Sequence, residues 1–293
     1  MIKELSTICK VIENADLTKY NTYRLNSVCD ALVFVSNIDE LTKVLEVINK
    51  YKSKYFVIGN GSNIIIPEHY DGVIIKLDGF KKYKIYDNYV EVESGCMINK
   101  LSNELVSLGY AGLDFACGIP GTIGGSIYGN AGCYGSSVSE VLESVKVFDG
   151  KKIIELKNKD LDFAYRDSMF KNTKKKYIIL SAKFNINKSN KDELLAVCKE
   201  RAEKRAASQD LNHPSCGSVF RNPEGDSAGR LIDAAGLKGY SIGGASVSMK
   251  HANFIINSNN ATYTDIIKLI KYIKKQIKKI YDIDLVVEQQ IIK

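Results

Sequence analysis

The 293-residue sequence lacks several features that mark common classes of protein. Its seven cysteines are odd in number and none are spaced Cys-x-x-Cys, so neither a disulfide framework nor a zinc site is indicated. Reduced thiols of a cytoplasmic protein fit this distribution best. The stretch after Met1 has no long apolar core typical of a signal peptide. No run approaches the ~18 apolar residues of a membrane span. We therefore expect a cytoplasmic protein with no metal and no membrane partner.

The charge pattern gives no reason to expect a nucleic-acid partner. The net charge of +7 is moderate and spread along the chain. No window combines dense Lys and Arg with the aromatic platforms that single-strand binding requires. Lysines do cluster at residues 268–279, but they are spaced with isoleucines at the helical period and predict the solvated face of one helix. The charge implies at most a general attraction for anionic nucleotides.

Length and periodicity predict two or three domains without internal repeats. The leader, residues 1–20, is predicted to contain a short helix. The other predicted helices cover residues 39–51, 97–108, 192–207, 227–235 and 262–281. Predicted strands cover residues 31–35, 55–58, 64–67, 73–77, 177–184, 254–257 and 285–292, with hairpins at 82–92 and 145–156.

The densest chemical signal is a glycine-rich stretch at residues 116–132, which reads ACGIPGTIGGSIYGNAG. Glycine costs backbone entropy, so this density predicts positive φ angles or close approach of the backbone to a ligand. Its polar residues carry no charge, and its isoleucines and proline make a flexible linker a poor alternative. The stretch predicts a large, partly apolar ligand whose phosphates are held by main-chain N–H groups.

A second glycine cluster follows the predicted strand at residues 55–58 and reads GNGSN. Successive N–H groups in such a turn form a concave nest for an anion. The cluster is not a Rossmann fingerprint, because Ile64 stands where the third glycine is required and the chain continues as a strand. Neither cluster carries Gly-Lys-Ser/Thr, which excludes a P-loop as well.

In this order, the two clusters resemble those of the UDP-N-acetylenolpyruvoylglucosamine reductases, the FAD enzymes that make UDP-N-acetylmuramate for bacterial peptidoglycan. GNGSN is similar to the family's pyrophosphate loop, and the glycine-rich stretch to its flavin-holding segment. The resemblance extends from about Asn21 to Ile292. It implies that non-covalent FAD is held by Gly59, Asn60, Gly61, Ser62, Asn63, Gly118, Ile119, Pro120, Gly121, Thr122, Gly124, Gly125, Asn130, Ala131 and Gly132.

The resemblance also implies an α+β fold. A two-lobed FAD-binding region of the vanillyl-alcohol-oxidase/PCMH type would be followed by a C-terminal α+β substrate-binding domain. With the periodicities, it predicts lobes at residues 1–80 and 81–190, and a C-terminal domain with its connector helix at residues 191–293. NADPH would reduce FAD and leave before UDP-N-acetylglucosamine enolpyruvate enters the same site. The short lysine-rich turn after Phe170 implies the shorter subclass, without a tyrosine-bearing loop over the nucleotide.

Ser218 and Arg166 are the first two candidate catalytic residues. Taken alone, Ser218 is most simply a loop serine that caps a turn, and the absence of GxSxG speaks against a hydrolase nucleophile. In the family, the serine of this segment is the proton donor. Arg166 alone would be a surface arginine paired with Asp167. It matches the arginine of the family's YRDS motif, which faces the substrate carboxylate, and a guanidinium fork suits that partner.

The C-terminal segment supplies the remaining candidates. Glu288 matches a family glutamate that assists protonation, although Gln289 and Gln290 stand where the family has Val-Arg. Asn222 and Lys238 match polar and phosphate contacts of the UDP-sugar site. Two alternatives stay open at this point: an oxidase of small hydroxy substrates on the same flavin fold, and a nucleotide-binding regulator that has lost activity.

Overall fold

The computed structural model describes the whole chain, Met1–Lys293. Its helices are α1 (Ile2–Leu5), α2 (Ile38–Lys50), α3 (Ile98–Ser107), α4 (Ile123–Tyr128), α5 (Val138–Val141), α6 (Met169–Asn172), α7 (Lys191–Ser208), α8 (Ala228–Ala234) and α9 (Tyr263–Tyr281). None of them has both the length and the apolar composition needed to cross a membrane.

The strands fall into several small sheets. In chain order they are β1 (Lys10–Asp16), β2 (Val28–Phe34), β3 (Tyr55–Val57), β4 (Ile64–Ile65), β5 (His69–Lys76), β6 (Tyr83–Ile85), β7 (Tyr89–Glu93), β8 (Tyr110–Ala111), β9 (Gly132–Cys133), β10 (Ser136–Ser137), β11 (Leu142–Phe148), β12 (Ile153–Lys157), β13 (Ile178–Asn185), β14 (Asn187–Lys188), β15 (Ser241–Ile242), β16 (Ala245–Val247), β17 (Ile255–Asn257) and β18 (Gln290–Ile291).

The chain forms two compact units, each built from more than one stretch of sequence. The first contains Met1–Glu13, Ala31–Asn60 and Gly72–Glu203, and the second contains Asn14–Asp30, Gly61–Asp71 and Lys204–Lys293. The protein has three separate hydrophobic cores. Two of them are built mainly from residues of the first unit and one from residues of the second. The predicted division into three domains at residues 80 and 190 stays a prediction.

The first core is covered by α2 and by a sheet with the spatial order β1-β2-β5-β3. Asn37 caps α2 by accepting a hydrogen bond from the Glu40 N–H at 2.9 Å. The residues that α2 buries are those expected from its helical period: Leu41, Val44, Leu45 and Ile48. β3 runs parallel to β5, and the GNGSN loop begins just beyond the end of β3.

The second core lies under a five-stranded sheet with the order β12-β11-β13-β7-β6. Both predicted hairpins are confirmed: β6 pairs antiparallel with β7, and β11 with β12 across Asp149-Gly150. The predicted helix at residues 97–108 is confirmed as α3. The sheet and α3 together support the glycine-rich stretch, which follows α3 in the chain.

The second unit packs α8 and α9 with the three-stranded sheet β15-β16-β17. Thr262 and Asp265 close a capping box at the start of α9. Its buried side chains are Ile266, Leu269, Ile270, Ile273 and Ile277, whereas five of its six clustered lysines are exposed. The lysine-rich helix is therefore confirmed as amphipathic, although Ile280 at its end is exposed.

Three local predictions differ from the structure. The predicted closing strand at residues 285–292 is reduced to β18, because Val287 forms only an isolated bridge with Phe220. The leader contains the strand β1 after the short α1. The glycine-rich stretch contains the helix α4, which sequence periodicity did not predict because two of its six residues are glycine.

Candidate active site

The glycine-rich stretch is folded tightly onto the second core. Thr122 caps α4, and the N–H groups of Ile123 and Gly124 donate to the carbonyl oxygens of Cys96 and Ser94 at 2.8 and 2.9 Å. A Cβ on Gly124 would lie 3.1 Å from the Cβ of Ser94, so glycine allows the helix to sit this close. The N–H groups of Ile123 and Gly124 already donate within the chain, so other N–H groups must donate hydrogen bonds to a ligand.

The YRDS motif and Ala164, the residue before it, are tied to this stretch by three hydrogen bonds. Asn130 Nδ2 donates to the Ala164 carbonyl at 2.9 Å, and the buried Ser168 hydroxyl donates to the Tyr128 carbonyl at 2.7 Å. Arg166 has a left-handed backbone (φ 56°), and its Nη2 donates to the Gly132 carbonyl at 2.6 Å. The structure thus places the predicted catalytic arginine against the predicted flavin-holding segment.

The two glycine clusters also meet within the first unit. Asn60 Nδ2 donates to the Pro120 carbonyl at 2.8 Å, and Lys76 Nζ donates to the Gly59 carbonyl at 2.8 Å. Burial lowers the pKa of Lys76. A buried ammonium beside the loop favours an anion there, because a nearby negative charge would offset the desolvation of the lysine. This neighbourhood supports the prediction that the clusters bind one ligand.

The polar atoms at these clusters fit FAD. The backbone N–H groups of residues 59–63 donate no hydrogen bond to another part of the chain, as expected of a nest for a pyrophosphate. The buried hydroxyls of Ser94 and Ser126 lack partners as well. Unpartnered buried polar groups are rare in proteins, and here Ser126 lies in α4 and Ser94 packs against Gly124 of the same helix. No charged residue lies in the stretch at residues 116–132, which suits a neutral ring system.

In the second unit, Ser218 lies on a tightly held loop. Gly217 before it adopts a left-handed conformation (φ 70°). Ser218 forms an isolated bridge with Phe254, and the Val219 N–H donates to the Asn253 carbonyl at 2.8 Å. The Asn253 side chain adds a bond to each polar backbone group of Phe220. The Ser218 hydroxyl itself makes no hydrogen bond within the chain, so it is available to a ligand.

Glu288 is brought to the same loop. Its N–H donates to the Val219 carbonyl at 2.8 Å, one residue beyond Ser218. Two residues earlier, the Val286 carbonyl accepts a bond from the Arg221 N–H at 2.9 Å. The two predicted catalytic residues of the second unit therefore lie on adjacent backbone segments, and their shared role in protonation stays a prediction.

A cavity of about 360 Å³ opens beside Ser218. Its lining includes the three residues of this unit predicted as proton donor and substrate contacts: Ser218, Asn222 and Lys238. The cavity wall also contains Arg230, Lys250 and His251, which the sequence did not single out as site residues. Lys250 and His251 lie in the connection between β16 and β17, so the only available signal was a polar pair shortly before the predicted strand at residues 254–257.

Charge at the cavity wall is mainly positive. Lys238 Nζ is 2.6 Å from an Asp233 oxygen, and Lys250 Nζ donates to the Ala206 carbonyl at 2.5 Å. Burial, followed by repulsion from Lys238, lowers the pKa of His251. Its Nδ1 accepts a bond from the Asn253 N–H at 3.2 Å, so the neutral ring carries its proton on Nε2. The cavity wall therefore offers several hydrogen-bond donors to an anionic group.

Comparisons with known proteins give the family. Residues 29–154 match the family described as FAD binding domain, and residues 209–292 match the C-terminal domain of UDP-N-acetylenolpyruvoylglucosamine reductase. A reductase of this name from Anoxybacillus flavithermus is 39% identical over 96% of this chain and 94% of its own. The chain belongs to the UDP-N-acetylenolpyruvoylglucosamine reductase family. The family assignment confirms the predicted FAD-dependent oxidoreductase and its cofactor.

Solved structures agree with this assignment. The UDP-N-acetylenolpyruvylglucosamine reductase of Thermus caldophilus superposes with a TM-score of 0.83 at 28% identity, over 97% of this chain and 99% of that one. A Phl p 4 variant, a glucose oxidase, shares only the fold, with a TM-score of 0.51 at 11% identity over 70% of this chain and 49% of its own. The predicted α+β class, with an FAD-binding region and a C-terminal domain, is confirmed.

The purified protein should be yellow and should release intact FAD when it is denatured. The reason is the unpartnered N–H groups and hydroxyls around the two glycine clusters, which suit a pyrophosphate and an uncharged ring. We expect no covalent link through His69, which lies shortly after the GNGSN loop. The measurement is the visible absorption spectrum before and after heat denaturation and filtration. A preparation that stays colourless after added FAD would contradict flavin binding.

Proposed function

We propose that the chain reduces UDP-N-acetylglucosamine enolpyruvate to UDP-N-acetylmuramate with NADPH, a step in peptidoglycan precursor synthesis. The observation that carries this proposal is the cavity in which Ser218, Asn222 and Lys238 converge, within the segment that matches the family's C-terminal domain. A serine hydroxyl that makes no hydrogen bond within the chain, beside several cations, suits a substrate that carries a diphosphate and needs a proton.

Bound FAD would supply the redox chemistry, taking hydride from NADPH and giving it to the far carbon of the substrate double bond. We infer that Gly59–Asn63 and the glycine-rich stretch hold this cofactor. Because the double bond is conjugated to a carboxylate, negative charge grows on that carboxylate as hydride adds. Arg166 would stabilise that charge through paired N–H donors. Ser218 would then protonate the carbon next to the carboxylate, with Glu288 assisting.

The substrate nucleotide would bind in the cavity of the second unit. Lys238 is held in place by Asp233, and its charge suits a phosphate. Asn222 already accepts a bond from the Ala228 N–H at 3.1 Å, which leaves its amide N–H₂ to donate to the sugar or the phosphates. The segment after α6 is short, since β13 begins at Ile178, and it supports the subclass without the tyrosine-bearing loop.

We place the reaction in the cytoplasm, where reduced thiols persist. All seven cysteines are free. We propose no nucleic-acid partner.

One experiment distinguishes the proposed reductase from the oxidase alternative: the flavin is bleached with NADPH without oxygen, and either air or the enolpyruvyl substrate is then admitted. We expect fast recovery of the visible absorbance with the substrate and slow recovery in air. Fast recovery in air alone would favour the oxidase, and no bleaching by NADPH would favour an inactive regulator.

Replacing Arg166 with lysine should slow the substrate half-reaction far more than flavin reduction by NADPH. Lysine keeps the charge but loses the planar fork that matches a carboxylate. The measurement is stopped-flow absorbance of each half-reaction. Arg201→Lys is the matched control, because Arg201 pairs with Asp114 at 2.9 Å in the same unit. Equal losses in both half-reactions of Arg166→Lys would place Arg166 in the fold or near NADPH.

A further inference from the structure

Gln289 is a buried amide that connects two parts of the second unit. The residue is only 4% exposed. Its Oε1 accepts a hydrogen bond from the Tyr23 hydroxyl at 2.9 Å. Its Nε2 lies 3.3 Å from the carbonyl oxygens of both Cys216 and Gly217. All polar atoms of this side chain are therefore satisfied within the protein.

The chemistry of the partners fixes the orientation of the amide. Backbone carbonyls only accept hydrogen bonds, so the atom facing Cys216 and Gly217 must be the NH₂ group. The opposite oxygen then faces Tyr23, whose hydroxyl donates to it. Tyr23 is fully buried, and burial raises its pKa well above the ordinary value, so it keeps its proton. The amide of Gln289 thus has one stable orientation.

The two carbonyls that Gln289 holds directly precede Ser218. On the other side, the same loop is held by Asn253, whose side chain bonds to Phe220. The loop is therefore fixed before Ser218 by Gln289 and after it by Asn253. Gln289 also follows Glu288 directly, so one segment carries a candidate catalytic carboxylate and a clamp on the candidate proton donor.

We propose that Gln289, supported by Tyr23, is a positioning residue that holds the Ser218 loop in the geometry needed to protonate the substrate carbon. This inference rests on the proposed role of Ser218. A hydroxyl must lie within hydrogen-bonding reach of the accepting carbon, and a misplacement of about 1 Å can slow a reaction by roughly 10²-fold. The Gln289 side chain bonds only to Tyr23, Cys216 and Gly217, so we expect its loss to act mainly on the half-reaction that uses Ser218.

The test is the double variant Tyr23→Phe/Gln289→Leu, which removes both polar partners and leaves no orphaned hydroxyl at Tyr23. We expect flavin reduction by NADPH, per bound flavin, to stay within about 2-fold of the parent. The limiting rate of reoxidation by UDP-N-acetylglucosamine enolpyruvate should fall roughly 10- to 100-fold, with its apparent Kd within about 3-fold. A limiting rate equal to that of the parent would overturn the inference.

Two further variants separate positioning from stability. Ser27→Ala removes another buried hydrogen bond of this unit, to the Ile66 carbonyl, and should lower Tm without changing either half-reaction. Gln289→Glu can donate to the loop only when protonated, and burial raises the pKa of a carboxyl. Its reoxidation rate relative to the parent should therefore rise as pH falls. A reoxidation rate of Gln289→Glu that keeps the same ratio to the parent at every pH would also contradict the inference. If the double variant does not fold, Gln289→Glu provides the test in its place.

The Ser218→Ala and Tyr23→Phe/Gln289→Leu variants distinguish the role of Gln289 from that of Ser218. If Ser218→Ala reoxidises slowly while Tyr23→Phe/Gln289→Leu reoxidises normally, Ser218 keeps its role and Gln289 loses the one proposed here. If Ser218→Ala itself reoxidises at the parent rate, the proposed proton donor is wrong and the positioning role falls with it.

Discussion

Replacing Ser218 with alanine should slow reoxidation of the reduced flavin by the enolpyruvyl substrate by roughly 10²–10⁴-fold, the usual contribution of a positioned proton donor. The Ser218 hydroxyl lines the cavity and makes no hydrogen bond within the chain, so the protein holds it ready for a ligand. Flavin reduction by NADPH should stay close to normal, because hydride delivery to the flavin needs no proton from this serine.

The measurement is stopped-flow absorbance of the two half-reactions without oxygen. Ser218→Cys should recover part of the lost rate, because a thiol is a stronger acid than an alcohol. Ser246→Ala is a matched control outside the cavity, since Ser246 lies on the small sheet and bonds to Ser241 and Ser258. A near-normal rate in Ser218→Ala would return Ser218 to the role of a turn residue and make Glu288 the first candidate for the proton donor.

Replacing Gly124 with valine should abolish flavin binding rather than only slow turnover. A Cβ at this position would already lie 3.1 Å from the Ser94 Cβ and 3.4 Å from the Ser94 carbonyl oxygen. The two methyl groups of valine would push α4 off the strand end and break the 2.9 Å bond from the Gly124 N–H to Ser94. The flavin-holding stretch would move with the helix.

Flavin content per protein and the FAD dissociation constant measure this effect, with circular dichroism to show that the chain still folds. Gly124→Ala is the graded comparison, because it adds only the Cβ and should lose part of the affinity. An FAD affinity of the valine variant within a few-fold of the parent would show that Gly124 serves packing alone and that the cofactor lies elsewhere.

Sequence patterns predicted those hairpins and helices whose formation depends on a few neighbouring residues. The hairpin across Asp149-Gly150 and the amphipathic α9 formed as expected, because turn chemistry and helical period both reside in a few neighbouring residues. The helix α4 could not be predicted this way. Its glycines disfavour a helix, and it is held by the Cys96 and Ser94 carbonyls, which precede it by more than twenty residues.

The residues of the candidate site also divide into those that the sequence identified and those that only the fold reveals. Resemblance to the family pointed to Ser218, Asn222 and Lys238, and the structure brings all three to one cavity. It gave no role to Gln289, which stood only as a departure from the family pattern. Its partners, Tyr23 and the carbonyls of Cys216 and Gly217, are far away in the sequence and become neighbours only through the fold. Long-range polar contacts of this kind leave no periodic signal.

The most direct test of the central claim is a single turnover without oxygen. The enzyme is reduced with one equivalent of NADPH, freed of NADP⁺, and mixed with UDP-N-acetylglucosamine enolpyruvate. We predict that the visible flavin absorbance returns fully and that one UDP-N-acetylmuramate forms per flavin, whereas reduced enzyme mixed with buffer alone stays bleached. A flavin that stays reduced in the presence of this substrate, or that recovers without forming UDP-N-acetylmuramate, would contradict the account.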